Sequence, residues 1–515
     1  MQLTQSLERA VQQTPQLAAT VFGDRTRTWA QCRDRVARFA GALRSLGVRP
    51  GDRVAILALN RDDYHEFQLA VPWAGGVGVP VNTRWSVEEI AFSLTDSGTR
   101  VLVVDDTFVD LVPAVLDHAP VVETVIYCGD GDAPGALQSY ETLIAEHDPV
   151  PDAGRGGDDL AAIYYTGGTT GRPKGVMLSH ANLLSSALGT AATEHFLVPG
   201  GRFLHAAPMF HLADGAAWVA RNLLGGTHVI VSGFTPAGVA AAIAEHQVTD
   251  ILLVPTMIQM LVDSPEAAQH DLSSLRRLFY GASPISEAVL ERAAARLPDT
   301  EFSQLYGMTE LAPVCTILTP ADHARPELRR AAGRAAPHGS VRVVDEYDEP
   351  LPPRSVGEIV ARGPHVMLGY WDRPEETATA LRGGWMHTGD GGYLDEEGYL
   401  FVVDRIKDMI VSGGENVYSA EVENALARHP AVASCAVIGV PDEQWGERVH
   451  AVVVTAPDAS VTPDELRSHC RELIAGYKCP RSVEFVDALP MSGAGKILKR
   501  ELRAAHWGGA DRNVS

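Results

Sequence analysis

Cysteine is scarce in this chain. The six cysteines, at positions 32, 128, 315, 435, 470 and 479, form no CxxC pair and show no even spacing. That argues against a zinc-ribbon or disulfide framework and points to a reducing compartment. Positive charge is also in deficit, with Lys plus Arg at 43 against Asp plus Glu at 65, a net charge of −22. So acidic a surface repels phosphate backbones and argues against nucleic acid as a main partner. An anionic small molecule stays possible, because a glycine-rich loop and a few placed cations outweigh the global field locally. Long apolar runs are missing. The opening MQLTQSLERAVQQ has no signal-peptide core, and the apolar stretch from Leu69 to Val81 is interrupted by Pro72 and Pro80 and is too short to span a bilayer. The tail WGGADRNVS carries no sorting address. A cytoplasmic protein, not integral to a membrane, is expected. Neither internal repeats nor coiled-coil heptads occur.

What is present is the balance of a folded chain, 45% hydrophobic and 21% charged, over 515 residues that suit two to four domains. From residue 53, strand-like runs (RVAILAL, GVPV, VLVVD, TVIYC) alternate with helix-length segments. The alternation resumes at LAAIYY (160–165) and continues through HVIVS, DILLVP and RLFYG. That pattern predicts a mostly parallel sheet covered on both faces. Between about 330 and 404, short strands with Gly, Pro and Asp turns predict a small β-rich subdomain. From Ile406 an α+β pattern of about 110 residues predicts a second domain. The fold class is therefore α/β: a large N-terminal domain of layered, mostly parallel sheets with a β-rich subdomain, then a small α+β C-terminal domain.

The sharpest motif is Tyr164-Tyr-Thr-Gly-Gly-Thr-Thr-Gly-Arg-Pro-Lys-Gly-Val176, read as a loop leaving the strand LAAIYY ahead of a helix-like segment. Gly167, Gly168 and Gly171 let backbone N–H groups approach phosphate oxygens. Thr166, Thr169 and Thr170 add hydroxyls, and Lys174 supplies counter-charge. It is not a Walker A loop, which requires Gly-Lys-Ser/Thr. A plain surface turn is the competing reading, and phosphate binding fits better.

This segment resembles the signature loop of the adenylate-forming enzymes: acyl- and aryl-CoA synthetases, luciferases and peptide-synthetase adenylation domains. Gly167 stands where Ser is commoner. The resemblance runs in order through nearly the whole chain and implies roles for further segments. Ala207-Pro-Met-Phe-His211 resembles the pocket motif bordering the substrate carboxylate, although a histidine on an apolar segment is often structural. Tyr280-Gly-Ala-Ser283 and Gln304-Leu-Tyr-Gly-Met-Thr-Glu310 resemble the adenine-binding segments. They imply contacts from Gly281, Ala282, Tyr306 and Gly307, with Thr309 at the α-phosphate and Glu310 on Mg²⁺; a helix-terminal acid is the plainer role for Glu310. Trp385-Met-His-Thr-Gly-Asp390 resembles the ribose segment, and Asp404-Arg-Ile-Lys-Asp408 the hinge, with Arg405 reaching ribose and Lys407 pivoting. Leu489-Pro-Met-Ser-Gly-Ala-Gly-Lys496 resembles the C-terminal lysine motif that serves adenylation. Gly413, Gly414, Trp445, Arg84 and Arg481 occupy positions that related enzymes give to coenzyme A; for the two arginines a solvated role is as good.

The resemblance thus implies an N-terminal domain over 1–404, a hinge at 405–407 and a mobile C-terminal domain over 408–515. The implied activity is an ATP-dependent acid–CoA ligase using ATP, Mg²⁺ and coenzyme A on a carboxylic acid, fatty acyl ahead of aryl. The catalytic set is Lys496, His211, Thr309 and Lys174. Leu212, Met257 and Met308, with His211, would line the acyl pocket. A helix cap is the favoured role for Asp214. The alternatives are an acyl-adenylate ligase that loads a carrier protein, and a nucleotide-binding regulator that has lost catalysis. Retention of Lys174, Glu310, Asp390, Arg405 and Lys496 speaks against the last. A homodimer is compatible with all three.

Overall fold

The computed structural model describes residues 1–166, 172–193, 196–283, 285–405, 408–412, 415–442, 444–457, 459–492 and 497–507. Two large sheets dominate. In the first, of eight strands, Val77–Pro80, Arg53–Leu57, Val101–Val104 and Thr124–Tyr127 run parallel side by side. Val101–Val104 is buried at every position, as expected of a strand covered by helices on both faces. Helices between these strands start where their caps dictate. Ser86 accepts from the Glu89 amide while Glu89 accepts from that of Ser86, a reciprocal cap opening the helix Val87–Ser97.

The second sheet has nine strands. It holds Arg202–His205, Thr227–Ile230, Asp250–Leu253, Arg277–Gly281 and Glu301–Gly307 in parallel. The resumed alternation of the sequence is therefore divided: Leu160–Thr166 joins the first sheet, and the strands from 202 onward build the second. An N-terminal hairpin, Ala18–Phe22 with Arg25–Thr28, closes the second sheet's edge. The sequence pattern, taken up only from residue 53, did not anticipate it.

A four-stranded antiparallel sheet of Ser340–Val344, Gly357–Arg362, Met386–Leu394 and Leu400–Arg405 forms the β-rich part. After it a five-stranded sheet, centred on Val432–Asp442 and Gly446–Thr455, carries the helices Ser419–Ala427, Pro463–Leu473 and Lys499–Trp507. Among the described residues no helix is long and apolar enough to cross a membrane.

Asn60 joins the two large sheets. It lies just beyond the strand Arg53–Leu57 and is 4% exposed. Its amide donates to the carbonyls of Ala207 (2.8 Å) and His205 (3.3 Å), and its oxygen accepts from the Met209 amide (2.7 Å). The segment leading to His211 is thereby pinned to the other sheet. Asn60→Ala is expected to destabilise the fold by about 1–3 kcal/mol, since it orphans buried backbone groups. Asn60→Asp should cost more, because it turns an acceptor toward two carbonyls. Urea midpoints of the two variants test the order.

Candidate active site

The strands on either side of the signature loop pair with each other. The strand Leu160–Thr166 pairs antiparallel with Lys174–Ser179, with Thr166 opposite Lys174, and the helix His180–Ala191 begins only afterwards. This corrects the expected strand–loop–helix arrangement, so no helix N-terminus follows the loop directly. Residues Gly167, Gly168, Thr169, Thr170 and Gly171 lie outside the described residues, as do Lys407, Gly413, Gly414 and Lys496.

Pairing on the other side of this hairpin brings in a residue that the sequence reading missed. Tyr370 is opposite Val176 on the short strand Gly369–Tyr370. The Lys174 ammonium lies 5.3 Å from the centroid of the Tyr370 ring and contacts Glu376. The Tyr370 hydroxyl donates to Glu310 Oε1 at 2.9 Å. Burial, and then the Glu310 carboxylate, push the Tyr370 hydroxyl above its ordinary pKa, which keeps it a donor. One aromatic ring thus connects Lys174 with the expected metal ligand. Its only trace in the sequence is Gly-Tyr-Trp before an acidic helix start, which has no local signature.

The adenine-type segments leave the carboxyl ends of adjacent parallel strands, where ligands bind in open α/β sheets. Gly281 pairs with Leu305, and a Cβ there would stand 2.1 Å from the Leu305 carbonyl oxygen, so only glycine fits. Ala282 follows at φ +65°, a left-handed conformation uncommon outside glycine. Thr309 and Glu310 lie on a short 3₁₀ turn, with Glu310 buried.

Asp390 is the meeting point. Its Oδ2 accepts from the Tyr306 hydroxyl at 2.8 Å, and its Oδ1 pairs with Arg405 Nε at 2.9 Å. Asp390 and Arg405 are register partners on neighbouring antiparallel strands, which explains their contact. Tyr306 comes from the nine-stranded sheet. Burial, then Asp390, raise the pKa of the Tyr306 hydroxyl well above its usual range, so it remains protonated. A carboxylate has about four acceptor positions; two donors leave it able to accept from a diol.

The neighbouring Asp404 points the other way, as successive residues on a strand must. Its Oδ2 accepts from both the amide (2.6 Å) and the hydroxyl (2.7 Å) of Ser419, at the start of the helix Ser419–Ala427. One strand end is therefore gripped on both faces by different parts of the chain.

His211 caps the helix Leu212–Leu224, its Nδ1 accepting from the Ala213 amide at 3.2 Å. Asp214 is not the cap; it lies in the first turn, and its Oδ2 is 2.7 Å from His205 Nδ1. His205 Nε2 in turn is 2.9 Å from His228 Nδ1, and the His65 ring lies tilted against His228 with centroids 4.6 Å apart while accepting from Trp218 Nε1. These groups are all buried. Leu212 and Met257 are buried in two separate core clusters, whereas His211 and Met308 keep accessible surface.

Of the residues expected at coenzyme A, Arg481 and Trp445 meet, the guanidinium 4.7 Å from the indole centroid. Arg84 lies elsewhere and donates to the Ser492 carbonyl at 3.1 Å.

Tyr306→Phe tests the Asp390 arrangement. Without the hydroxyl, Asp390 loses a donor that fixes its orientation, and AMP affinity measured by calorimetry is expected to fall roughly tenfold, the scale of one lost hydrogen bond to a charged group. Unchanged affinity would show that Tyr306 does not set the carboxylate.

Comparison with known proteins shows the family of the chain. The family described as AMP-binding enzyme matches residues 7–371, and its C-terminal domain matches residues 421–496. A feruloyl-CoA synthase from Amycolatopsis sp is 44% identical over 96% of this chain and 97% of its own. A fatty acid–[acyl-carrier-protein] ligase, ScoC, from Streptomyces coeruleorubidus is 39% identical, covering 100% of this chain and 98% of its own. The amide bond synthetase McbA from Marinactinospora thermotolerans superposes with a TM-score of 0.89 at 33% identity, over 98% of this chain and 99% of that one. The chain belongs to the AMP-binding enzyme family, the adenylate-forming enzymes.

Proposed function

We propose that the protein is an ATP-dependent acid–CoA ligase. It activates a carboxylic acid as acyl-adenylate with release of pyrophosphate, then passes the acyl group to the thiol of coenzyme A. The observation that carries this reading is the clustering of Tyr306 and Arg405 on Asp390, together with that of Lys174 and Glu310 on Tyr370.

In this reading Asp390 accepts from the ribose hydroxyls, Gly281 lets main chain approach the purine, and Lys174 with the loop 166–171 faces the pyrophosphate. The buried Glu310 carboxylate, held by a tyrosine donor, is the hard oxygen ligand that a magnesium ion takes beside phosphates. Such an ion supplies neutralising charge on the phosphate oxygens. His211, whose Nδ1 is an acceptor, carries its proton on Nε2 when neutral and presents a donor at the substrate carboxylate. Lys496 is assigned to the reacting oxygens during adenylation, Lys407 to the hinge, and Gly413 and Gly414 to the thiol channel. Arg405 is the first residue of the expected hinge, so rotation there would work against the grips of Asp390 and Asp404.

The acid is proposed to be uncharged beyond its carboxylate, because the groups near His211 are small or apolar. Fatty acids and, given the likeness to a feruloyl-CoA synthase, aryl acids are the first substrates to assay. The likeness to ScoC favours one second reading, transfer to a carrier protein; thioester formation with free coenzyme A separates the two. The six cysteines are all free and buried, which supports a reducing, cytoplasmic setting.

Two measurements test the mechanism. Glu310→Gln keeps the shape but removes the charge, so the Mg²⁺ concentration for half-maximal pyrophosphate release should rise by about tenfold or more; an unshifted titration would remove Glu310 from the metal site. Lys496→Ala should lose about 10²–10³-fold in adenylation, the scale of one preorganised charge contact, yet still convert supplied acyl-adenylate to thioester. Equal loss in both half-reactions would refute separate orientations.

A further inference from the structure

We propose that His450, Glu484 and His506 form a binding site for a divalent transition-metal ion of the zinc type, remote in role from adenylation, that fastens the helix Lys499–Trp507 to the sheet beneath it. The three residues come from three elements: the strand Gly446–Thr455, the strand Ser482–Phe485 and that helix. The two strands run parallel with His450 opposite Ser482, and Glu484, two residues on, shares the face of Ser482.

The spacing suits a metal better than hydrogen bonds. His450 Nε2 is 3.5 Å and His506 Nε2 is 3.7 Å from Glu484 Oε2, and all three donor atoms lie within 4.8 Å of one another. An ion holding nitrogen and oxygen at about 2.0–2.1 Å in tetrahedral geometry separates its ligand atoms by about 3.4 Å. His450 Nε2 has no hydrogen-bond partner although its side chain is only 7% exposed. A buried ring nitrogen whose facing acceptor, Glu484 Oε2, stands back at 3.5 Å requires an explanation, and a cation at this point supplies one. Among the described residues no other group of three or more His, Cys, Asp or Glu side chains brings its donor atoms together in this way.

The surroundings match a built site. His450 Nδ1 is 2.7 Å from Ser482 Oγ, which fixes the ring and directs the Nε2 lone pair at the cluster, as second partners of metal-bound histidines do. Arg448 is the nearby opposing charge; its guanidinium pairs with Asp442 at 3.7 Å. His506 and Glu484 are 29% and 51% exposed, so the outer side is open for a water as fourth ligand. The helix is otherwise held by Lys499 to Glu423 (2.8 Å), Arg503 to Asp408 (2.7 Å) and Trp507 Nε1 to the Gly439 carbonyl (3.0 Å). A metal at His506 adds a crosslink close to Trp507, on the helix that comes after the Lys496 segment.

The test uses the tag-free, full-length protein after chelator stripping, with Co²⁺ alone as the spectroscopic probe and Zn²⁺ as competitor. One Co²⁺ per chain is expected, with the intense visible bands of a four- or five-coordinate site, displaced by Zn²⁺. Both ions should raise the melting temperature. His506→Ala and Glu484→Gln alter partly exposed side chains, so they should fold as the metal-free wild type does, and each should weaken Co²⁺ by more than about tenfold and abolish the thermal shift. Ser482→Ala should weaken it by about tenfold, and His118→Ala, at a helix end elsewhere, should change nothing. Absent bands, or affinity unchanged in His506→Ala and Glu484→Gln, would overturn the proposal.

Discussion

The carboxylate of Asp390 is the constraint on which the arrangement of this protein turns. It draws a tyrosine from the nine-stranded sheet and an arginine from its own hairpin partner onto one group. The same strand end presents Asp404 on its opposite face to the helix that opens the last domain. Alternation of side chains along a strand is thus enough to give adjacent residues opposite allegiances. The main chain leaving Arg405 departs from a point fixed on both sides, the rigid ground that the proposed pivot at Lys407 would need.

The other groups reach the site by backbone pairing. Strand exits of the nine-stranded sheet deliver Gly281 and Tyr306 as neighbours because their strands are parallel and adjacent. Lys174 arrives along a hairpin, and Tyr370 is laid beside it by one further strand pair. Asn60 then ties the His211 segment back to the first sheet. The site is therefore assembled from regular structure, which sets its geometry more tightly than free loops would.

Much of this was legible in the sequence, for physical reasons that differ by element. Val101–Val104 and Arg277–Gly281 could be read as strands because short, mostly apolar runs between turn signals suit buried parallel strands. Lys174–Ser179 was read as the approach to a helix, since six residues mixing Val, Met and Leu show no decisive period. The N-terminal hairpin was missed because Arg-Thr-Arg-Thr is polar throughout and its pairing is long-range. Tyr370 beside Glu310, and the trio His450, Glu484 and His506, depend on contacts between distant segments and have no spacing to betray them. Asp214 was misread as a cap because its partner, His205, lies on the preceding strand rather than along the helix.

The buried histidines beside that aspartate carry a consequence for handling the molecule. Burial holds His65 down to about pKa 3 and His228 well below its usual value, and His365, elsewhere, also lies at about 3. The unfolded chain would protonate these rings near pH 6.5, whereas the folded one resists. Their contribution is complete above that pH and drains away as acidity increases toward the folded values. Mild alkali leaves these rings unaffected, while acid elution and acidic storage buffers work against the native state from within its core.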